Sequence, residues 1–303
     1  MSGRLNLTPP LLSPGDAIAI VAPASAVDPA LIAGAAERLR AEGFTVRVMP
    51  HAAGAVGSFS AGADERLSDL QAAIDDPAVK AILCARGGYG TVHLLPRLRL
   101  HRPVWIIGFS DISALHALAL HEGIRSIHGS MAKELALRQC PGDDATRRLL
   151  EILRTGHMPA IELPAHPLNR PGEAEGELIG GNMAVLDGLA ATPYDIYARA
   201  KGSILVVEDV SEPIYKIERI FWRLKLAGVL DALGGLIVGQ FTEYRPSRDH
   251  ADMYSMLARF TASLPIPVAY DAPLGHVPGN LPFVSGAAAR LTVTPSRALL
   301  SEA

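Results

Sequence analysis

The chain has 303 residues, of which 49% are hydrophobic and 19% charged, which gives it a sizeable core and excludes a disordered chain. A net charge of −3 with 5% aromatics argues against nucleic acid and against an anionic membrane surface as partners. Two cysteines, Cys84 and Cys140, exclude a disulfide framework and fit a reducing compartment.

Taken in order, residues 17–150 alternate strand-like apolar runs with helical patterns. The run Ala17–Val21 reads as a first strand; too little positive charge and too short an apolar core precede Pro23 for a signal peptide. A helix over 29–42 closed by Gly43, a strand over 45–48 and a helix over 64–75 with Leu67, Leu70 and Ile74 on one face come next. A strand over 81–84 ends in Arg86-Gly87-Gly88-Tyr89-Gly90, with a helix expected after it. A strand over 104–107 ends at Gly108 and delivers Ser110 to the start of another helix, and 126–128 is a further short strand. This βαβα order calls for a mostly parallel sheet, with chemistry at the carboxyl ends of its strands.

Residues 156–177, with four prolines and no clear period, read as a linker between a domain over 1–155 and a second over 178–303. The second domain shows a helix over 182–189, a strand over 203–207 and an amphipathic helix over 213–227. A strand over 235–238, a helix over 253–263 and a β-rich tail complete a smaller α+β unit. No segment is long and apolar enough to span a bilayer.

The chemistry is sought first among the glycines. Neither Gly-x-Gly-x-x-Gly nor a Walker loop occurs, and no acidic residue follows the second strand, which argues against a nicotinamide dinucleotide. No His-Glu-x-x-His or Cys-x-x-Cys spacing points to zinc, so no metal or cofactor is expected. Strand, tight turn and helix around Ser110 can present a nucleophile, although Ile112 stands where a Gly-x-Ser-x-Gly elbow has glycine. Ser110 or Asp111 as a simple helix cap is the competing explanation. Backbone N–H groups of Gly87 or Gly88 and of Asp111 are candidate oxyanion donors. His116, His128 and His276 are candidate bases, and Glu208, Asp209 and Asp111 candidate orienting acids; the pattern alone does not choose among them. Cys84, inside an apolar run, reads as a buried filler.

Gly87-Gly88-Tyr89-Gly90, Gly108-Phe109-Ser110-Asp111 and Val207-Glu208-Asp209 together resemble the LD-carboxypeptidases, serine peptidases that trim cell-wall peptides. Pro14-Gly15-Asp16, Ala22-Pro23-Ala24-Ser25, Asp64-Glu65-Arg66, His128-Gly129, Gly180-Gly181-Asn182 and Gly275-His276 extend the resemblance over nearly the whole chain. It implies an α/β fold, with an N-terminal flavodoxin-like domain and a smaller C-terminal domain rich in β-structure. It also implies a triad formed across the two domains, with Ser110 as nucleophile, His276 as base and Glu208 as its orienting acid. Asp111, Gly87 and Gly88 would supply the oxyanion donors, and Arg86, Tyr89 and Asn182 are candidates for the substrate cleft. The sequence departs from the family at Ser113, where threonine is commoner, and at Ser130, where proline is common.

The resemblance implies hydrolysis of the bond between the L-centre of a diamino acid and a terminal D-alanine in a cytoplasmic murein tetrapeptide, by a homodimer, with activity falling as pH drops through the low sixes. A relative that cleaves a microcin C-type peptide–nucleotide antibiotic is the nearest alternative. A two-lobed binding protein without turnover is a more distant one, and a cysteine-dependent amidotransferase-like enzyme more distant still.

Overall fold

The computed structural model describes residues 6–137 and 143–303, so Cys140 lies outside the described residues. The chain divides into two compact units. The first runs to Met158 and takes back Leu281–Gly286; the second comprises Pro159–Asn280 and Ala287–Ala303.

The first unit is built on strands β1 (Ala17–Val21), β2 (Thr45–Val48), β3 (Val79–Cys84), β4 (Trp105–Gly108) and β5 (Ser126–His128). Their spatial order is 2-1-3-4-5, all parallel, the flavodoxin-like winding that the resemblance implied. β1 and β4 are buried along their whole length, as near-continuous apolar runs require when both faces of a parallel sheet are covered. β2, at the edge, is largely exposed. The other edge is closed by β11 (Phe283–Ser285), which pairs antiparallel with β5. Nothing in the tail's pattern announced that this short piece returns to the first sheet.

Helix α1 (Pro29–Ala41) begins with Pro29 in its first turn and with Asp28, whose carboxylate accepts from the Ala30 amide at 2.9 Å. Helix α2 (Ala63–Asp75) differs from expectation in the face it buries: Arg66, Asp69, Leu70, Ala73 and Ile74 point inward, and Leu67 is only half-buried. After Gly90 there is a single 3₁₀ turn, Thr91–His93, in place of a helix. A 3₁₀ turn, Ser110–Ile112, leads into α3 (Ser113–His121), buried from Ser113 to Leu120. Helices α4 (Ala132–Leu137) and α5 (Asp144–Thr155) complete this part of the chain.

The stretch read as a linker is structured. It holds β6 (Ile161–Leu163) and the first half of β7 (Gly172–Asn182). The prolines that suggested a linker fall between or beside these strands, where no ladder hydrogen bond is lost. The alternation of Glu173, Glu175 and Glu177 along β7 is a half-exposed strand pattern hidden by its glycines. β7 is the hinge of the second unit's seven-stranded sheet. Residues 172–177 pair antiparallel with β12 (Ala288–Val293), and 178–182 pair parallel with β8 (Ile204–Val210). Beyond β8 lie β9 (Gly235–Thr242) and β10 (Val268–Ala269), both parallel; beyond β12 lie β13 (Ala298–Glu302) and β6. Helices α6 (Met183–Asp187), α7 (Ile214–Leu226), α8 (Val229–Ala232) and α9 (Met253–Thr261) belong to this unit. Among the described residues no helix is long and apolar enough to cross a membrane.

Candidate active site

Ser110 stands directly beyond β4, and its backbone is left-handed, with φ +65°. A serine held there costs on the order of 1–3 kcal/mol, so the surrounding contacts must impose it. A plain helix cap needs no such conformation; extended φ/ψ serves that role. The hydroxyl is not used as a cap either: no side chain caps the 3₁₀ turn or α3. The neighbouring loop shows why the site is tight. A Cβ at Gly87 would lie 2.8 Å from Ser110 Cβ, 2.9 Å from its Oγ and 3.3 Å from the Asp111 amide nitrogen. Only glycine fits at 87, because any side chain there would collide with the serine and crowd the N–H expected to receive an oxyanion. Gly88 makes its own close approach elsewhere, against the Ser25 side chain.

Ser25 stitches the loop after β1 to the loop after β3. Its amide donates to the Gly87 carbonyl at 3.3 Å, and its hydroxyl accepts from the Tyr89 amide at 3.2 Å. Arg86 donates to the Ala26 carbonyl at 3.0 Å along the same seam. Tyr89 is 57% exposed, its ring backed edge-on by His93 at 5.1 Å. Of the residues proposed for the cleft, Arg86 and Tyr89 therefore sit in the loop packed against Ser110, with Tyr89 largely exposed between Phe59 and His93.

Two candidate bases in this unit have structural surroundings. His116 is buried; its Nε2–H donates to the Gly108 carbonyl at 2.8 Å and its Nδ1 accepts from the Ser126 hydroxyl at 2.9 Å. This neutral ring pins the end of β4 just before the serine. Burial pushes its pKa down to about 4, against the bond to Gly108. His128 is buried and stacks on Phe283 at 4.6 Å. Cys84 is buried at the end of β3, and burial raises its thiol pKa, which removes it as a thiolate nucleophile.

The His116 environment makes a stability prediction. Its folded pKa lies below the unfolded value of 6.5, so the unfolded chain takes up the proton first as pH falls. The stability it contributes is present above about pH 6.5 and is lost as pH falls toward 4. Between pH 7.5 and 5, urea unfolding of the wild type should lose roughly 2 kcal/mol that His116→Gln does not lose. Parallel pH slopes for the two proteins would refute this.

The second unit holds the other pair. His276 Nδ1–H donates to Glu208 Oε2 at 2.7 Å, and Glu208 is 0% exposed. Glu208 lies inside β8, not beyond its end as the pattern suggested. The β8–β9 register slips between Val207 and Asp209: Gly239 and Gln240 of β9 stand opposite the single residue Glu208, so the bulge lies in β9. Gly275, with φ +111°, makes room: a Cβ there would lie 2.5 Å from Glu208 Oε2. The loop is fixed from β9 and from its own far end. Gln240 donates to Asp271 Oδ1 at 2.7 Å and, through its backbone, to the Leu274 carbonyl at 2.9 Å. Asn280 Oδ1 accepts from the Gly275 amide at 2.8 Å.

Asp209, the rival acid, turns the other way. It accepts from Asn182 Nδ2 at 3.0 Å and from the Ala184 amide at 2.8 Å, anchoring the start of α6. Burial, followed by the Glu208 charge, raises its pKa to about 7. Asn182 is itself buried and caps α6 through the Val185 amide, so its amide is engaged in holding this corner. Sequence reading missed Gln240, Asn280 and Arg66; only Arg66 carried a signal, a charge placed one turn before Leu70 on an apolar helix face. No group of three or more His, Cys, Asp or Glu side chains able to hold a metal is found among the described residues.

A family model described as the LD-carboxypeptidase N-terminal domain matches residues 18–129, and one described as the C-terminal domain matches residues 175–291. The chain belongs to the LD-carboxypeptidase family. It is accordingly a peptidase, a carboxypeptidase by family. The murein tetrapeptide carboxypeptidase of Pseudomonas aeruginosa is 32% identical over 284 residues, covering 90% of this chain and 92% of that relative. The crystal structure of muramoyltetrapeptide carboxypeptidase from Oxalobacter formigenes superposes with a TM-score of 0.82 at 28% identity, covering 94% of this chain and 98% of that one. The microcin C7 self immunity protein MccF, at 22% identity, 98% and 99% coverage and a TM-score of 0.84, shares the fold.

Proposed function

We propose that this LD-carboxypeptidase hydrolyses the bond before the terminal D-alanine of murein tetrapeptides, with Ser110 as nucleophile, His276 as general base and Glu208 as the acid that orients it. The observation that carries the reading is the left-handed backbone of Ser110, wedged against Gly87. Strain of this kind at a hydroxyl with no capping role has a use if it aims the oxygen outward beyond the strand. The buried Glu208–His276 hydrogen bond supports the assignment of the base, since it leaves Nε2 as the proton acceptor. The name of the Pseudomonas relative supports the substrate.

In the proposed reaction His276 Nε2 serves the Ser110 hydroxyl as general base. The imidazole removes the hydroxyl proton as the oxygen attacks the amide carbon, and Glu208 stabilises the imidazolium. The Asp111 amide and the Gly87–Gly88 turn receive the oxyanion, and Arg86 and Tyr89 border the peptide. Protonated His276 gives its proton to the departing D-alanine nitrogen, and water then opens the acyl-enzyme with His276 again as base. We place the enzyme in the cytoplasm as a homodimer acting in cell-wall recycling, consistent with its cysteine content.

The test is D-alanine release from a defined tetrapeptide, run beside a peptidyl-nucleotide of the microcin C type and a tetrapeptide ending in L-alanine. Release from the D-terminated tetrapeptide alone is expected. Turnover confined to the peptidyl-nucleotide would overturn the substrate assignment, and tight binding without turnover would overturn catalysis.

A further inference from the structure

Arg66, Asp111 and the peptide between Gly90 and Thr91 form a connected set that the mechanism above does not use. Arg66 is 2% exposed on the inward face of α2, and Asp111 is 4% exposed. Arg66 Nη1 donates to the Gly90 carbonyl at 3.0 Å and also to the Pro23 carbonyl; Nε donates to the Ala61 carbonyl at 3.1 Å. On the other side of the Gly90–Thr91 peptide, the Thr91 N–H donates to Asp111 Oδ2 at 2.9 Å. One peptide group therefore has its oxygen on a guanidinium and its N–H on a carboxylate. The charges polarise it along its own dipole, and each hydrogen bond strengthens the other.

Position gives this arrangement its consequence. Pro23 lies in the loop after β1 and Gly90 in the loop after β3, the two segments that Ser25 stitches together around Gly87. Asp111 directly follows the strained serine. Gly90 is bound to this role by its backbone: φ is +119°, and a Cβ would lie 2.7 Å from the Phe59 ring and 3.0 Å from Arg66 Nη1. The Asp111 carboxylate also belongs to the residue whose N–H is assigned to the oxyanion. Left unbalanced, its negative charge would oppose the charge that develops there.

We propose that Arg66 and Asp111 are positioning residues of a single relay, acting through the Gly90–Thr91 peptide to hold the Ser110–Asp111 turn against Gly87 and to balance the Asp111 charge; this rests on Ser110 being the nucleophile. Lysine cannot replace Arg66, because one ammonium does not reproduce a planar fork directed at three carbonyls. Asparagine at 111 keeps an acceptor for Thr91 and removes the charge. The two residues are therefore coupled, not independently useful.

Active sites are counted with a fluorophosphonate that labels serine nucleophiles, and kcat is expressed per labelled site. Asp111→Ala and Arg66→Gln should each lower kcat by about 10- to 100-fold while KM changes less than about threefold. Arg66→Lys should fail to restore it. The double variant Arg66→Gln/Asp111→Asn should be no slower than Arg66→Gln alone, since removing the second charge removes the imbalance. Wild-type kcat per labelled site in the single variants, or multiplicative losses in the double, overturns the relay. Amide exchange of residues 87–91 gives an arm independent of turnover, and Asp111→Ala should accelerate it at least about tenfold. If the wild type takes no label and Ser110→Ala still turns over, the nucleophile assignment has failed. The relay then falls with it whatever exchange shows; where Ser110 is labelled, unchanged exchange in Asp111→Ala overturns the relay alone.

Discussion

Replacing Ser110 with alanine is expected to lower tetrapeptide turnover by about 10⁴- to 10⁶-fold, because the reaction loses the atom that attacks. Alanine keeps the left-handed backbone and its strain, so the variant should unfold close to wild type. Ser110→Gly separates the two roles. Glycine adopts φ +65° at no steric cost, which offsets the roughly 0.5–1 kcal/mol by which glycine usually destabilises an ordered site. Ser110→Gly should therefore be as inactive as Ser110→Ala and at least as stable. Such a result identifies strain kept for chemistry and not for folding. A Ser110→Ala enzyme within tenfold of wild type would end the proposal. A Ser110→Gly protein about 2 kcal/mol less stable than the alanine variant would show that the conformation is not strained.

How far the sequence anticipates this depends on which interaction decides each element. Strands β1 and β4 of the first sheet are legible because both their faces are covered. Ala-Ile-Ala-Ile-Val and Trp-Ile-Ile-Gly have no polar position to hide their ends. The turn at Ser110 is legible for the same reason, since a glycine and a serine interrupt an apolar run. Residues 156–177 are misread because the local prolines are easily seen, whereas the partners β12 and β13 are remote in sequence. The return of 281–286 to β5 depends wholly on tertiary pairing. Among the histidines, periodicity does not separate His116 from His276. What separates them is burial and the second partner: His116 faces a carbonyl and a hydroxyl, and His276 faces a carboxylate. Glu208 and Asp209 are successive residues of β8 and take different partners, His276 and Asn182, which are far from them in sequence and which no local pattern predicts.

Glu208→Gln should cost about 10²- to 10⁴-fold in turnover and little or nothing in stability. The carboxylate is fully buried, and its oxygen accepts from His276 Nδ1–H. A glutamine in the same place presents an oxygen or an NH₂. Through the oxygen it keeps the tautomer but supplies no negative charge to the imidazolium; through the NH₂ it selects the wrong tautomer. Either way the loss falls on kcat. Removing a buried charge also acts on the neighbour. Asp209 has its pKa raised to about 7, first by burial and then by Glu208. Its folded pKa lies above the unfolded 3.8, so its contribution to stability is lost as pH rises from about 4 toward 7. Without the Glu208 charge that window should narrow from its upper end but persist, because burial remains. Urea unfolding of wild type and Glu208→Gln between pH 4.5 and 7.5 reads this directly: the variant should lose less stability across the range. Turnover within threefold of wild type would remove Glu208 from the site. Identical pH slopes would show that the two carboxyls on β8 do not influence each other.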